Sequence, residues 1–372
     1  MFSKADVLLY IASLFLQESI QQNTSGPTII PKADFNLKGE TIEFCRVLHL
    51  PCSEIPPVID YITSISNDQR HQIMDVGWKQ YGNHTNRHDT AMSAILFCFE
   101  PDQTKDKQKS FDSTQTDAYN NIFDICEKPT TFLARRLHDS LQKGGEDLSY
   151  QSIMCTSTGD ELSQFDKNFP SLKYKSFTEE IDKKLKDDDL KKFLKDLLTP
   201  PYRSNDKADD KKTADLVKLI PTGNNDKCTA DATSQEFYDM MHKESFDQIK
   251  AVGEMWNKNN ANVDIVAAIA NRCASHLGSC FKRIFSFAMS PAKYFSAEAD
   301  EWFTGKGDPI MSAGTRIVIS RSEIDLADII TEYESSTKGN FESAMKGKLN
   351  EKDNPANVHL IDKLITGNKN NH

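Results

Sequence analysis

The chain has 372 residues, of which 38% are hydrophobic, and its formal net charge is -10 at pH 7. This length is enough to bury one large core or several small ones, and the scarcity of glycine (16) and proline (14) favours helices over a turn-rich β protein. The acidic balance argues against nucleic acid as the main partner, because duplex binding needs a basic face. It also argues against docking on anionic lipid by charge attraction alone, so such binding would need a divalent cation as a bridge.

The N-terminal region contains an apolar run from Val7 to Leu16, which is too short to span a bilayer. Two interpretations remain open. Residues 1–20 could be a signal peptide that directs secretion, or the run could form an amphipathic helix docked on the protein. The docked helix is favoured, because Asp6 precedes the run and no small-x-small cleavage site follows it. Residues 1–38 are interpreted as an N-terminal tail that could reach a cytoskeletal or other protein partner.

From Glu40 onward the sequence has the pattern of short amphipathic helices separated by short polar breaks. Apolar residues at helical spacing predict helices over residues 55–65 and 68–81. The stretch 102–128 opens with charged and polar residues and is interpreted as an insertion or linker. The charged stretch 201–212 is interpreted as a second linker.

Eight cysteines are scattered along the chain without a CxxC pair, which argues against a zinc ribbon and a thioredoxin-type motif. The even count does not by itself indicate disulfides in a chain of this length, and reduced, mostly buried thiols are favoured. The cysteines are Cys45, Cys52, Cys98, Cys126, Cys155, Cys228, Cys273 and Cys280.

Four segments share one pattern: a polar or small start, then an acidic or amide position, then a helix that ends near an aromatic residue. Each begins as a helix N-cap does, with Asp, Glu or Gln in the first turn. They recur roughly every eighty to ninety residues, a period that suits a unit of four or five helices repeated four times. The segments start at Ser66, Ser157, Lys243 and Ser320, and they end near Tyr81, Phe169, Trp256 and Tyr333.

The fourth segment carries the most specific pattern. Residues 316–326 (RIVISRSEIDL), continued by residues 328–333 (DIITEY), closely resemble the fourth repeat of the annexin family. In the first segment, residues 66–73 (SNDQRHQI) resemble the matching helix start of that family, and residues 79–82 (KQYG) resemble its end. The resemblance extends over residues 35–367 and is most specific in repeats one and four.

The resemblance implies an all-α fold of four repeats with four to five helices each, forming a curved disc. It also implies calcium-dependent binding to acidic phospholipid membranes by a cytoplasmic protein, peripheral at membranes, that is not an enzyme. The repeats are expected at residues 39–101, 129–200, 213–290 and 291–367. The alternative is a calcium-poor relative that serves as a structural or cytoskeleton-associated scaffold.

Members of that family bind calcium in the loop between the first two helices of a repeat. A Gly-x-Gly sequence there lets several backbone carbonyls point at one hard cation. One carboxylate about forty residues downstream adds a further oxygen ligand, and a lipid phosphate completes the shell. Each repeat is therefore tested for a glycine loop and for a distal carboxylate.

Repeat two keeps both parts of this pattern. Its loop follows Leu141 and contains Gly144 and Gly145, although one glycine is displaced from the family's spacing. Asp187 and Asp188 lie where the distal carboxylate belongs. A helix N-cap with a solvated face is the alternative interpretation of these two residues.

Repeat four has the best Gly-x-Gly sequence, with Phe303, Gly305 and Gly307 as candidate ligands. Its distal position falls at Lys348, which would repel calcium, so Glu351 or another acidic residue just beyond it would have to substitute. The alternative interpretation of the glycines is an ordinary helix C-cap.

Repeats one and three lack the pattern. Pro51 stands where repeat one needs glycine, and residues 270–273 of repeat three contain no carboxylate, so no calcium is expected in either repeat. Trp302 precedes the loop of repeat four and could reach the lipid headgroup region. No nucleophile elbow or phosphate-binding P-loop is present, so the sequence offers no catalytic constellation.

Overall fold

The computed structural model describes residues 26–48, 55–82, 90–99, 113–143, 147–172, 174, 176–221, 235–260, 263–306, 312–350 and 354–368. These residues form helices and connecting segments with no β-strand among them, as the all-α prediction requires. No helix in these ranges combines the length and apolar character needed to cross a bilayer. The apolar run that starts at Val7, and Pro51, lie outside the described residues.

The helices follow one another in four successive groups along the chain. Repeat one contains α1 (Leu37–Leu48), α2 (Ile55–Thr63), α3 (Asn67–His71), a π-helical segment (Gln72–Gly77), α4 (Trp78–Tyr81), α5 (Ala91–Phe99) and α6 (Ser113–Cys126). Repeat two contains α7 (Pro129–Gln142), α8 (Ser149–Thr156), α9 (Gly159–Ser171), α10 (Phe177–Lys184) and α11 (Asp188–Leu197).

The second half of the chain repeats this order. Repeat three contains α12 (Asp210–Leu216), a 3-10 segment (Val217–Leu219), α13 (Gln235–Lys243), α14 (Phe246–Asn259), α15 (Ile265–Arg272) and α16 (His276–Met289). Repeat four contains α17 (Pro291–Thr304), α18 (Ala313–Arg321), α19 (Leu326–Thr337), α20 (Phe341–Leu349) and α21 (Pro355–Thr366). The apolar faces of all four groups meet in one continuous core.

Three of the four predicted segments contain an N-cap at their predicted start or within two residues of it. Ser66 accepts a hydrogen bond from the backbone N–H of Gln69, whose side chain bonds back to Ser66 and completes a capping box. Thr158 makes the same reciprocal arrangement in repeat two, one residue beyond the predicted Ser157. In repeat three, Ser245 accepts from the N–H of the residue three positions on. Side-chain capping therefore fixes where the third helix of each of these repeats begins.

The fourth segment departs from the cap prediction. Helix α19 begins at Leu326, and the preceding Asp325 makes no side-chain cap. Glu323 serves repeat one instead, where its carboxylate accepts from the N–H of Asn67 at 2.8 Å and from Arg70 at 2.5 Å. The acidic residue that was expected to stabilise its own helix therefore joins repeat four to repeat one.

Two segments predicted as linkers contain structured chain. Within residues 102–128, helix α6 buries Ala118 and Ile122 and packs against α18 and α21 of repeat four. Within residues 201–212, Arg203 is buried and donates to two backbone carbonyls of repeat three. Their polar composition concealed the few apolar and basic side chains that fix each segment in place.

The prediction of reduced thiols is wrong for one pair. Cys155 on α8 and Cys280 on α16 form a disulfide, and their Cα atoms are 5.7 Å apart, within the usual range for such bonds. Cys273 is also disulfide-bonded. Cys45 and Cys126 are buried thiols outside any disulfide, as expected. Sequence spacing could not reveal the 155–280 pair, because the two helices belong to different repeats.

Candidate calcium-binding loops

The outer end of repeat two brings several carboxylates close to the glycine loop. Helix α7 ends at Gln142, whose side-chain amide donates to Glu180 of α10 at 3.1 Å. On the other side of the loop, Asp147 is only 2% exposed and accepts from the N–H and hydroxyl of Ser149. Sequence reasoning missed both acids. Asp147 directly follows the loop and could have been noticed, whereas Glu180 has no sequence signal.

Asp187 lies beside the same loop. Its Oδ1 accepts the backbone N–H of Leu190 at 2.9 Å and caps α11, so the N-cap interpretation holds for this residue. Helix α11, which Asp187 caps, packs against α8, the helix that follows the glycine loop. One carboxylate oxygen of Asp187 thus remains for a cation.

The other candidate ligands of repeat two differ in position. Asp188 is exposed and pairs with Lys191 at 2.5 Å. The side chain of Leu141 is fully buried, so only its backbone carbonyl could serve as a ligand. Gly144 and Gly145 lie outside the described residues. The described part of the site therefore consists of a buried helix end, a buried Asp147 and the half-exposed Asp187.

In repeat four, α17 ends with Gly305 in the left-handed conformation, at φ 66°. A Cβ at this position would meet no atom within 4 Å, so glycine is required by its backbone angle and not by crowding. The ring of Phe303 lies 5.4 Å from the rings of Tyr333 and Phe341, so this side chain is a packing residue. Gly307 and Glu351 lie outside the described residues.

Lys348 occupies the distal position of repeat four, as the sequence indicated. Its ammonium lies 5.3 Å from the centre of the Trp302 ring, a cation-π distance. The same ring packs so closely on Gly314 that a Cβ there would approach it to 2.4 Å. Trp302 is therefore half-buried between a helix and a lysine, which limits how far it could reach toward a lipid headgroup.

Repeat three has a basic residue at the position that corresponds to Lys348 of repeat four. Arg272, the last residue of α15, donates a hydrogen bond to the backbone carbonyl of Pro221, where the first loop of the repeat begins. Its guanidinium also lies 5.2 Å from the centre of the Trp256 ring. The protein's own cation thus engages a carbonyl of this loop. Across the described part of the chain, no cluster of three or more His, Cys, Asp or Glu side chains could hold a metal ion.

The arrangement of helices is shared with solved annexin structures. Annexin III aligns with a TM-score of 0.70 at 18% identity, covering 90% of this chain and 97% of that one. Calcium-bound annexin (Sm)1 aligns with a TM-score of 0.71 at 14% identity, covering 91% and 93%. Calcium-bound alpha-14 giardin aligns at 0.65 with 12% identity, covering 88% and 99%. These likenesses define the fold as the four-repeat annexin fold.

Curated proteins with related sequences point the same way. Chicken annexin A6 is 23% identical over 317 residues, covering 82% of this chain and 43% of that protein. Human annexin A7 is 22% identical over 316 residues, covering 84% and 58%. The chain thus spans about half the length of these relatives, and no family model matches it. The chain thus shares the annexin fold and is similar to annexins in sequence, at 22–23% identity to these two relatives.

Proposed function

We propose that the protein binds acidic phospholipid membranes peripherally through calcium, with repeat two as the main anchor. The observation that carries the proposal is the position of Asp187, which caps α11, a helix that packs against α8 just after the glycine loop of the same repeat. In the proposed site, the carbonyls of Leu141, Gly144 and Gly145 and the carboxylate of Asp187 hold the ion. Open coordination positions would accept a lipid phosphate.

The charge of the protein supports a bridging cation. A chain with a net charge of -10 is repelled by an anionic surface at long range. Calcium held by carbonyls and one carboxylate keeps excess positive charge and can join the two surfaces. The calcium-bound annexin (Sm)1 and alpha-14 giardin show that other proteins of this fold bind the ion.

Repeat four is proposed as a weaker anchor. Gly305 has the backbone conformation that a carbonyl loop needs, and Phe303 and Gly307 would supply carbonyls beside it. Because Lys348 occupies the distal position, Glu351 would be the substitute carboxylate. Asp188 could assist in repeat two, but its ion pair with Lys191 must open first.

A calcium-poor scaffold is the second candidate function. It is favoured by Arg272, which donates to a loop carbonyl in repeat three, and by Lys348 in repeat four. In such a protein these two cations would have replaced calcium, and the N-terminal tail would be the proposed contact with a cytoskeletal partner.

Sedimentation with liposomes of phosphatidylserine and phosphatidylcholine tests the first proposal. We expect the protein to pellet in calcium and to be released by chelator, and binding that persists unchanged in chelator would contradict the proposal. Asp187→Asn should raise the calcium needed for half-maximal pelleting about tenfold, because asparagine keeps the N-cap but removes the ligand charge. Asp188→Asn should have a smaller effect.

Asp264→Asn is the matched control, because Asp264 caps α15 in the same way but lies far from any glycine loop. Its calcium requirement should equal that of the unmodified protein. Equal behaviour of Asp187→Asn and Asp264→Asn would exclude repeat two as the anchor. Calorimetry that detects no calcium uptake with lipid present would favour the scaffold.

A further inference from the structure

A cavity of about 240 Å³ lies where repeat three meets repeat four. Its walls come from α16, from one side of α17 between Ser290 and Glu301, and from the residues around the start of α15. The glycine loop of repeat four follows the C-terminal end of α17, and a helix of 14 residues is about 21 Å long. Lys293, in the first turn of α17, therefore lies near the end of the helix that is away from this loop.

The base of the cavity is a buried polar network. The guanidinium of Arg283 donates to the hydroxyl of Tyr294 at 3.2 Å, and Tyr294 donates to Ser152 Oγ at 3.0 Å. Glu298 accepts from Ser152 and forms a buried ion pair with Arg316. The charge of Glu298 is thus matched by Arg316, and this carboxylate does not neutralise the basic groups nearer the opening.

The other acidic side chains of the lining are also engaged. Asp264 accepts from two backbone amides at the start of α15 and is its N-cap. Glu301 also has an interaction partner. By contrast, Lys282 and Lys293 are exposed, and neither forms an ion pair with any residue that the structure describes. Two ammonium groups therefore face the cavity without a carboxylate partner.

Hydroxyl groups complete the lining. Ser279, Ser286 and Ser290 border the cavity, and each hydroxyl can donate one hydrogen bond. Two ammonium groups and several hydroxyls form a donor set that matches a compact anion with several acceptor oxygens. The volume is below the range of about 300–1,000 Å³ that is usual for drug-sized ligands, so the ligand must be small.

We propose that this cavity binds a small soluble phosphate monoester, with Lys282 and Lys293 as its main charge contacts. The phosphate group would lie between the two ammonium groups and accept from the serine hydroxyls. The proposal is independent of calcium, because none of these residues belongs to a proposed calcium loop. Its affinity should fall with added salt, since both lysines are exposed.

Glycerol 3-phosphate is a suitable probe, and glycerol is its neutral control. Isothermal titration of the full chain without calcium should detect binding of glycerol 3-phosphate and none of glycerol. Lys282→Gln and Lys293→Gln should each weaken binding about tenfold, the loss expected for a charge-assisted hydrogen bond. Lys258→Gln, which removes an exposed lysine elsewhere in repeat three, should change nothing.

Three outcomes would overturn the proposal. They are equal affinity for glycerol and glycerol 3-phosphate, no binding of either, and unchanged affinity in the double variant Lys282→Gln/Lys293→Gln.

Sedimentation with vesicles distinguishes a soluble phosphate monoester from the phosphate of a lipid headgroup. The double variant should pellet with phosphatidic acid vesicles in calcium as the unmodified protein does. Loss of that pelleting would assign the lysines to the membrane and contradict a soluble ligand.

Discussion

Repeats two and three are joined by different forces from repeats one and four. Between two and three, α8 and α11 pack against α16, and the Cys155–Cys280 disulfide crosses the buried contact. Between one and four, helices also pack together, but Glu323 pairs with the buried Arg70, and Asn121 bonds to Asn357 at 2.7 Å. The contact of repeats two and three thus contains a disulfide and aromatic pairs such as Phe193 with Phe281. The contact of repeats one and four contains an ion pair and an amide hydrogen bond.

The described part of the N-terminal segment, from residue 26 onward, strengthens the second contact. Thr28 donates from its N–H to the carbonyl of Ser322 and from its hydroxyl to that of Leu364, while Asn368 bonds to both Ile30 and Ser64. Repeats one and four are thus tied by hydrogen bonds from both ends of the described chain. We expect reductant to weaken the contact of repeats two and three, and charge removal to weaken that of one and four.

The largest expected effect is the loss of the disulfide. Its two cysteines are 125 residues apart, and closing a loop of that size stabilises a protein by about 3–5 kcal/mol in the chain-entropy model. The double variant Cys155→Ala/Cys280→Ala should lose about that much free energy of unfolding, measured by urea denaturation. Reductant should destabilise the unmodified protein more than the variant, which keeps the disulfide of Cys273.

Cys126→Ala provides the control for this experiment, because Cys126 is buried but free. That variant should remain sensitive to reductant. Equal stability of the unmodified protein with and without reductant would contradict a structural role of the 155–280 bond.

The ion pair of Glu323 with Arg70 is an ionic clamp between repeats four and one. Its removal should have the next largest effect. Glu323→Gln deprives Arg70, which is 2% exposed, of its carboxylate partner. The cost of breaking a buried pair is reduced because Arg70 keeps backbone carbonyl partners, and we expect a loss of about 2 kcal/mol. Denaturation of Glu332→Gln, which alters a carboxylate on α19 outside the clamp, should give a change below about 0.5 kcal/mol. Equal losses in both variants would refute the clamp.

The contact between repeats two and three should respond to acid through His242. Burial lowers the pKa of this imidazole, which lies against Phe193 of repeat two and donates from Nδ1 to the Tyr238 carbonyl. Because the folded pKa is depressed, the unfolded chain binds more protons as pH falls below about 6.5, and stability is lost there by at most about 1.4 kcal/mol per pH unit. His242→Gln should remove this part of the acid sensitivity, while His276→Gln, at an exposed position, should retain it. Denaturation of all three proteins at pH 7.5 and 5.5 tests this expectation. Equal losses of stability in all three between the two pH values would contradict it.

The contrast between the two contacts also explains which features were predictable. Helix starts at Ser66 and Ser245 are local, because the cap and its partner are three residues apart, and the sequence pattern identified them. The partners of Glu323 and Cys155 are far along the chain, and no local pattern indicates them.

In the candidate calcium site, too, local spacing was predictable from the sequence and long-range contacts were not. Asp187 could be selected by its distance from the glycine loop, since the family's spacing is carried in the sequence. Glu180 and Arg272 could not, because their bonds to Gln142 and Pro221 arise from tertiary packing. The sequence therefore indicated the fold and one candidate ligand, but not the side-chain contacts that form around the loops.

The smallest expected effect tests whether repeat four can equal repeat two. Lys348→Glu would place a carboxylate at the distal position, at the cost of a cation-π contact with Trp302. Adding a ligand charge should lower the calcium needed for half-maximal liposome pelleting about threefold. Lys258→Glu makes the same change of net charge away from any loop and should not lower it, because a more acidic surface is repelled by the lipid. If Lys348→Glu behaves like Lys258→Glu, repeat four holds no calcium, and the membrane contact rests on repeat two alone.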